Sequence, residues 1–209
     1  MPRLSAASRG AGVFRPATHS GSVQSTPPQD WDRRYEESEF PTAPSGLLTQ
    51  FLPLIPKHGI ALDLACGAGR NSVLLAQQGL EVLAIDRSLP ALQRGREWAR
   101  ECRVNVQWLQ ADLETYTLPM AAFDVLACFY YRDPALYPRM RAALRPGGLL
   151  FFETYTLDQL RASSGPRNPA HLLRPDELVN SFGDWNVLFY HVTWARSGVA
   201  SLVARKPEP

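Results

Sequence analysis

The chain of 209 residues is long enough for one domain with a full hydrophobic core. Its hydrophobic fraction of 45% and charged fraction of 20% are typical of a globular protein, and no apolar run approaches the roughly 20 residues that a membrane-spanning helix needs. The formal net charge is +2, but without Arg3, Arg9 and Arg15, three of the 22 basic residues, 19 basic residues face 20 acidic ones. A body so close to neutral lacks the basic surface typical of nucleic-acid-binding proteins. We therefore expect neither a membrane nor a nucleic acid as a partner.

The opening segment, residues 1–29, is rich in Ser, Gly, Pro and Ala and has no periodic apolar face. Such a segment cannot bury enough surface to offset the entropy of ordering, so we expect it to be disordered. Its arginines and lack of acids faintly resemble an organellar transit peptide, although a disordered extension or an overlong start fits the composition better. The predicted domain spans residues 30–209.

The three cysteines indicate a reducing compartment. Cys66, Cys102 and Cys128 are widely spaced, odd in number and without a CxxC pair. This pattern predicts neither a disulfide framework nor a metal site, and it favours a cytoplasmic protein.

From Trp31 onward, predicted strands and helices alternate. Strands are predicted where short apolar runs lie between turn residues, at 60–65, 81–85, 104–109, 123–129, 149–153, 186–193 and 199–205. Helices are predicted where apolar residues recur at helical spacing, at 71–78, 88–102, 134–144 and 175–182. An irregular stretch with Pro and Gly covers residues 157–174.

This alternation predicts an α/β fold, a doubly wound sheet of seven strands that is mostly parallel. The last two strands are separated only by a short turn at Arg196-Ser197-Gly198. Because a parallel pair needs a longer crossover, these two strands must form an antiparallel C-terminal hairpin.

The segment ALDLACGAGRN, residues 61–71, joins a buried strand to a helix through a glycine-rich turn. Glycine suits tight turns and lets a ligand touch the backbone, and ligands of open α/β sheets bind at the carboxyl ends of strands. Asp63 stands just before this turn, Asp86 ends the next strand, where it can accept hydrogen bonds from a ribose diol, and Asp112 follows the third strand. Three acids at successive strand ends predict a site for a nucleoside that carries no phosphate.

The same features also suit a dinucleotide site, because a glycine-rich turn followed by an acid about 20 residues on is its fingerprint. However, Ser72 stands where the third glycine of GxGxxG would be, and Asp63 would put negative charge near a pyrophosphate. That charge suits the cationic sulfonium and amino groups of S-adenosylmethionine. The motif thus favours a methyl donor, with a nicotinamide-dependent Rossmann oxidoreductase as the alternative.

The series Asp63-Leu-Ala-Cys-Gly-Ala-Gly-Arg-Asn, Asp86, Asp112 and Arg145-Pro-Gly-Gly resembles the signature motifs of the Rossmann-like class I S-adenosylmethionine-dependent methyltransferases. More narrowly, residues 31–206 are similar to the tellurite-resistance-type methyltransferases in the segments WDRRY, GAGRNS, DELVNSFGDW and ASLVARK. Those enzymes carry a polar excursion between the last two strands, where this chain has only a tight turn. This departure counts against their oxyanion chemistry here.

The resemblance implies S-adenosyl-L-methionine as cofactor and a binding set at the ends of the first four strands. The expected cofactor-binding residues are Asp63, Gly67 and Gly69 along the methionine half, Asp86 and Arg87 at the ribose, Asp112 and Leu113 at the adenine, Phe129 beside the donor, and Arg70 after the glycine-rich turn. For Arg87, Leu113 and Phe129, ordinary packing or surface roles remain open.

Methyl transfer depends mainly on orientation and desolvation, so no catalytic residue is assigned from the sequence. Tyr130, Tyr131 and Arg132 follow the fourth strand and could bind a small anion or planar acceptor, or only pack at the rim. His171 lies in a loop that could form a lid. It could act as a general base there, or it could be an ordinary surface histidine.

Three more residues lie near the expected site. Tyr35 and Phe40 could close over the cofactor or cap the core. Glu153 ends the fifth strand, where we expect a salt bridge at the edge of the site.

The sequence therefore predicts a methyltransferase that acts on a small molecule, with a thiol or a soft oxyanion among the candidate acceptors. We expect a monomer or weak dimer. A non-catalytic S-adenosylmethionine-binding module is the second alternative.

Overall fold

The computed structural model of the chain describes residues 31–37, 40–193 and 197–208. The expected N-terminal extension at 1–29 lies outside these residues, as does Arg196 of the predicted hairpin turn.

A sheet of seven strands forms the centre of the domain, in the order β3-β2-β1-β4-β5-β7-β6. Strands β1 to β5 are parallel to one another, and β7 runs antiparallel to both β5 and β6. The strands are β1 Ile60–Leu64, β2 Glu81–Asp86, β3 Val106–Gln110, β4 Phe123–Phe129, β5 Leu144–Tyr155, β6 Asn186–Thr193 and β7 Val199–Arg205. The predicted fold class is confirmed.

Strand β5 begins five residues before the predicted strand at 149–153, because Arg145-Pro-Gly-Gly continues the extended chain and does not separate a helix from a strand. Leu144 pairs with Phe123, and the register then shifts so that Val125 pairs with Leu149. The intervening residues form an irregularity in which Gly147 has a φ of 74°, a conformation that glycine adopts without strain.

Six α-helices flank the sheet in the described part of the chain. They are α1 Trp31–Glu37, α2 Gly46–Gln50, α3 Arg70–Gln77, α4 Leu89–Glu101, α5 Tyr137–Ala143 and α6 Glu177–Phe182. The predicted helix at 134–144 is divided into a 3-10 turn, Pro134–Leu136, and α5. Two further 3-10 turns, Leu157–Arg161 and Pro169–His171, lie in the stretch predicted to be irregular.

Alternate residues of β4 face two apolar layers. Leu126 and Cys128 belong to a cluster that includes residues of α5 and α6, whereas Val125 and Ala127 belong to a cluster that includes residues of α2 and α3. All four side chains are at most 1% exposed. A central strand covered on both faces explains why its sequence is almost wholly apolar.

Trp108 of β3 lies where the glycine-rich turn meets α4. A Cβ atom added to Gly69 would overlap the Trp108 ring, and one added to Gly95 of α4 would lie 2.5 Å from it and 3.2 Å from the Ala68 carbonyl oxygen. The two glycines thus give the indole the room that it occupies between strand, turn and helix.

We predict that Gly95→Ala lowers the free energy of unfolding by about 1–3 kcal/mol, the usual cost of an overpacked core. The matched control is Gly46→Ala at the start of α2, because a Cβ there meets nothing within 4 Å. The control should leave the free energy of unfolding unchanged or raise it by about 0.4–1 kcal/mol, because alanine reduces the conformational freedom of the unfolded chain. Urea denaturation of both variants measures the difference, and equal stabilities would contradict the packing role of Gly95.

Candidate functional site

The carboxyl ends of β1, β2, β4 and β5 meet at one edge of the sheet, and the glycine-rich turn lies there. After β1 the backbone curls through Ala65, Gly67 and Gly69, whose φ angles are 52°, 56° and 75°. The Gly69 N–H donates to the Cys66 carbonyl at 3.0 Å, and α3 begins at the next residue. The turn therefore presents its backbone at the edge where open α/β sheets bind ligands.

Asp86, at the end of β2, fastens this turn to the start of α4. One carboxylate oxygen accepts the Gly67 N–H at 2.7 Å, and the other accepts the Ser88 N–H at 2.9 Å. Ser88 in turn caps α4 by accepting the Ala91 N–H. Asp86 is only 9% exposed, and burial raises the pKa of its carboxyl while the backbone hydrogen bonds lower it. Each oxygen still has a lone pair for a ligand hydroxyl.

Asp63 lies beside this clamp as a second buried acid, 1% exposed. Its carboxylate accepts the Ser72 hydroxyl at 2.5 Å. Burial raises the pKa of Asp63 to about 7, and the nearby Asp86 adds to this effect, whereas the Ser72 hydrogen bond and Arg70 oppose it. Ser72, noted in the sequence only as a departure from GxGxxG, thus holds a carboxylate for which the described part of the chain supplies no ion pair.

Tyr35 of α1 covers the turn from outside. Its hydroxyl lies so close to Gly67 that a Cβ at that position would overlap it, and its ring stacks on Phe40 with centroids 3.9 Å apart. Burial and the nearby Asp86 raise the pKa of Tyr35. Tyr35 and Phe40 therefore form a wall over the glycine-rich turn.

The other residues expected at the cofactor are spread around this edge. Arg70 donates to the Ala43 carbonyl at 3.3 Å, and Arg87 is exposed. Asp112 accepts the Glu114 N–H at 3.0 Å in the turn after β3. Leu113 and Phe129 are 5% and 7% exposed and pack in the two apolar clusters.

The residues after β4 point in different directions. The Tyr130 hydroxyl donates to Glu153 at 3.0 Å, and its ring lies 5.7 Å from the Arg70 guanidinium. Tyr131 instead packs against the cluster of α5 and α6, and burial together with Asp133 raises the pKa of its hydroxyl. The structure thus separates two tyrosines that are adjacent in sequence.

Arg132 is held by Glu177 of α6. Its Nε and Nη2 donate to the two carboxylate oxygens at 2.8 and 2.6 Å, and its Nη1 donates to the Ala170 carbonyl at 2.7 Å. The Tyr137 hydroxyl and the Arg174 N–H also donate to Glu177. Burial alone would raise the pKa of Glu177, but these hydrogen bonds lower it below the ordinary value.

This network fastens the 3-10 turn Pro169–His171 to the chain after β4. The side chains of Arg132 and Glu177 are only 9% and 12% exposed. His171 is exposed at the end of the fastened turn. The loop expected to form a lid is therefore attached to the rim of the site through Arg132.

Glu153 forms hydrogen bonds with hydroxyl groups in place of the salt bridge that we expected. Its carboxylate accepts the hydroxyl groups of Tyr130 at 3.0 Å, Ser201 at 2.8 Å and Ser45 at 3.4 Å. No cation pairs with it in the described ranges. The salt-bridge expectation was wrong because these hydroxyls come from three distant segments, which a sequence does not show to be adjacent.

Comparisons with known proteins relate this chain to methyltransferases. A family model described as a methyltransferase domain matches residues 61–148. A ubiquinone biosynthesis O-methyltransferase of Coxiella burnetii is 28% identical over 170 residues, which cover 72% of this chain and 66% of that protein. The chain thus spans slightly less than two thirds of this curated relative.

Solved structures share the fold at low sequence identity. TehB from Haemophilus influenzae superposes with a TM-score of 0.69 at 19% identity, over 84% of this chain and 67% of that one. An S-adenosylmethionine-dependent methyltransferase from Mesorhizobium loti superposes with a TM-score of 0.63 at 18% identity, over 78% of this chain and 98% of that one.

The methyltransferase domain at residues 61–148 and the fold shared with these solved structures support a class I S-adenosylmethionine-dependent methyltransferase. The domain match and the fold imply S-adenosyl-L-methionine as its cofactor. They favour the methyltransferase over the nicotinamide-dependent alternative. None of the described helices is long and apolar enough to cross a bilayer.

We predict that the stability of the protein depends on pH through Asp63. Because the pKa of Asp63 is about 7 in the folded state and ordinarily 3.8, its contribution is full below about pH 4 and is lost as the pH rises to 7. Asp63→Asn, which cannot ionise, should therefore gain melting temperature relative to the wild type between pH 5 and pH 8. Ser72→Ala should extend this loss of stability to higher pH, because the Ser72 hydrogen bond lowers the pKa of Asp63. A melting-temperature difference between Asp63→Asn and the wild type that does not change with pH would contradict this account.

We also predict that Arg132→Ala destabilises the fold by about 2–4 kcal/mol, because Glu177 would keep a poorly hydrated charge without its partner. Arg161→Ala is the control, since Arg161 is 83% exposed in its ion pair with Asp158 and should leave the melting temperature unchanged. Thermal unfolding of both variants measures this. A fully stable Arg132→Ala would show that the network does not hold the turn.

Proposed function

We propose that this protein transfers the methyl group of S-adenosylmethionine to the hydroxyl oxygen of a small planar acceptor. The observation that supports this most is that two different surfaces meet at one edge of the sheet. The ends of β1 and β2 carry buried acids and a glycine turn, while the ends of β4 and β5 carry aromatic and hydroxyl side chains.

The acids fit the donor in both position and charge. The free lone pairs of Asp86 suit the two ribose hydroxyls, whereas the raised pKa of Asp63 marks a buried carboxylate that a cationic group would stabilise. The amino group of the methionine half is such a cation. The remaining assignments in this proposal are Gly67, Gly69 and Arg70 along the methionine half, Arg87 beside the ribose, Asp112 and Leu113 at the adenine, and Phe129 beside the donor.

When bound, the cofactor supplies an electrophilic methyl group on a cationic sulfur. The protein supplies orientation and a site from which water is excluded. Tyr35 and Phe40 contribute to this exclusion, because they form a stacked pair over the turn. The wall over the glycine-rich turn therefore serves the donor side.

The acceptor side lies beyond the end of β4. Tyr130 and Tyr155 form an aromatic pair with centroids 5.2 Å apart, which suits a planar molecule. An oxygen acceptor is supported by the Coxiella burnetii relative, whose name is that of an O-methyltransferase. Thiols and soft oxyanions, which the sequence also suggested, are outcomes of the screen below.

Among the residues expected at the acceptor, we assign Arg132 a positioning role. Its three guanidinium nitrogens already donate to Glu177 and Ala170, so it has little capacity left for an anion. Tyr131 and His171 stay candidates for the walls of the acceptor site. We further propose that the protein is a monomer or weak dimer. The three free cysteines support a location in the cytoplasm. The near-neutral charge of the body supports the absence of a nucleic acid partner.

The proposal is tested first with the wild-type protein. Calorimetry should show binding of S-adenosylmethionine and S-adenosylhomocysteine but not of NADH. Labelled S-adenosylmethionine should then transfer its methyl group to catechols or phenols in a screen that also holds small thiols, selenite, tellurite and carboxylates. Turnover of the thiols or oxyanions alone would contradict the hydroxyl acceptor, and NADH binding would contradict the donor.

We predict that Asp86→Ala weakens S-adenosylhomocysteine binding by about 1.5–3 kcal/mol, the usual loss for a charge-assisted hydrogen bond. The variant also loses stability, because two backbone N–H groups lose their acceptor. Asp124→Ala is the matched control: Asp124 accepts the Ile60 N–H at 2.7 Å at the opposite end of the strands. The control should lose stability but keep its affinity in calorimetry, and equal losses of affinity would refute the ribose assignment.

A further inference from the structure

A row of side chains crosses the sheet beyond the donor pocket. In the strand register, Phe129 of β4 pairs with Glu153 of β5, Glu153 with Ser201 of β7, and Ser201 with His191 of β6. Because paired residues in neighbouring strands point to the same face, these four side chains share the face that carries the cluster of α2 and α3. Glu153 is the carboxylate of this row and lies next to the end of β4.

The Glu153 carboxylate is oriented by its neighbours on both sides. Ser201 donates to Oε2 at 2.8 Å, whereas Tyr130 donates to Oε1 at 3.0 Å and Ser45 more weakly at 3.4 Å. All three partners are neutral hydroxyl groups. They fix the direction of the carboxylate without supplying a cation that would pair with it.

Tyr130 is the exposed member of this group. Its side chain is 43% exposed, and its backbone has a φ of 58°, a conformation that non-glycine residues rarely adopt and that clusters at functional sites. The Tyr130 N–H donates to the Glu153 carbonyl at 2.7 Å, which holds the strained residue against β5. Its ring is flanked by Tyr155 and by Arg70, the first residue of α3.

We infer that Tyr130 and Glu153 form a proton relay for the hydroxyl group of the acceptor. A phenol oxygen can accept one hydrogen bond while it donates another. Tyr130 already donates to Glu153, so its oxygen is available to accept the hydrogen bond of an acceptor hydroxyl that lies over the exposed side of the ring. This inference rests on the proposed function and assigns its proton acceptor.

The relay balances the reaction. As the acceptor oxygen forms its bond to the methyl carbon and the carbon–sulfur bond breaks, the acceptor proton moves to the Tyr130 oxygen. The Tyr130 proton moves at the same time to Oε1 of Glu153. The products are the methyl ether, the neutral thioether S-adenosylhomocysteine and a protonated Glu153, which returns its proton to water. Tyr130 is thus the catalytic residue, and Ser201 and Ser45 position the carboxylate.

The test compares Tyr130→Phe and Glu153→Gln with the wild type on two probes, catechol and 4-nitrocatechol. With catechol, both variants should lose about 100-fold or more in kcat, as is usual for loss of a proton acceptor. With 4-nitrocatechol, which is largely ionised at the assay pH, the loss should stay within about fivefold, since no proton need be removed. Tyr190→Phe, on the opposite face of the sheet, is the matched control and should keep full activity.

Binding supplies a readout that does not depend on turnover. Calorimetry should show unchanged S-adenosylhomocysteine affinity in both variants, while catechol binding to that complex falls by up to about tenfold through the lost hydrogen bond. Equal losses for both probes, or variants that keep their kcat with catechol, would overturn the relay alone. A wild type that binds S-adenosylhomocysteine but methylates neither probe would overturn the proposed acceptor and the relay with it. Tyr130→Phe changes an exposed side chain, so its folding is not at risk.

Discussion

The arrangement of the whole site depends on one buried carboxylate, that of Asp86. By accepting the N–H groups of Gly67 and Ser88, it joins the end of β2, the glycine-rich turn after β1 and the start of α4. A buried acid without these partners would carry a large desolvation cost, so the hydrogen bonds both stabilise the charge and fix the geometry of the turn. The other contacts of the donor side follow from this geometry: Asp63 beside the turn, Tyr35 over it, and Trp108 below Gly69 and Gly95.

Charge is distributed across the sheet edge in a way that divides the two halves of the site. The proposed donor side holds two acids, of which Asp86 raises the pKa of Asp63, and a bound cation would stabilise the ionised form of Asp63. The proposed acceptor side holds one carboxylate that accepts hydrogen bonds from three hydroxyl groups. Arg70 lies between them, near both Tyr35 and Tyr130. On this account the donor is recognised through charge and the acceptor through a proton and an aromatic surface.

The sequence predicts those parts of the structure that depend on local pattern. The bounds of β6 and β7 match the prediction, because alternation and a tight turn define a hairpin locally. Asp86 and Gly67 were expected at one ligand edge because a strand end and a glycine turn mark such an edge, and the structure joins them by a hydrogen bond. The early start of β5 was missed, since it depends on pairing across the sheet with Phe123. The partners of Arg132 and Glu153 were missed for the same reason: Glu177 is 45 residues from Arg132, and Ser45 is 108 residues from Glu153.

The most direct test of this account is a crystal structure of the full chain with S-adenosylhomocysteine. We expect both ribose hydroxyls on the Asp86 carboxylate, the Gly67 and Ser88 hydrogen bonds still in place, and the methionine amino group beside Asp63. The sulfur should then point toward the end of β4 and the exposed side of Tyr130. A nucleoside bound elsewhere, or an Asp86 that contacts only the backbone in the complex, would contradict the account.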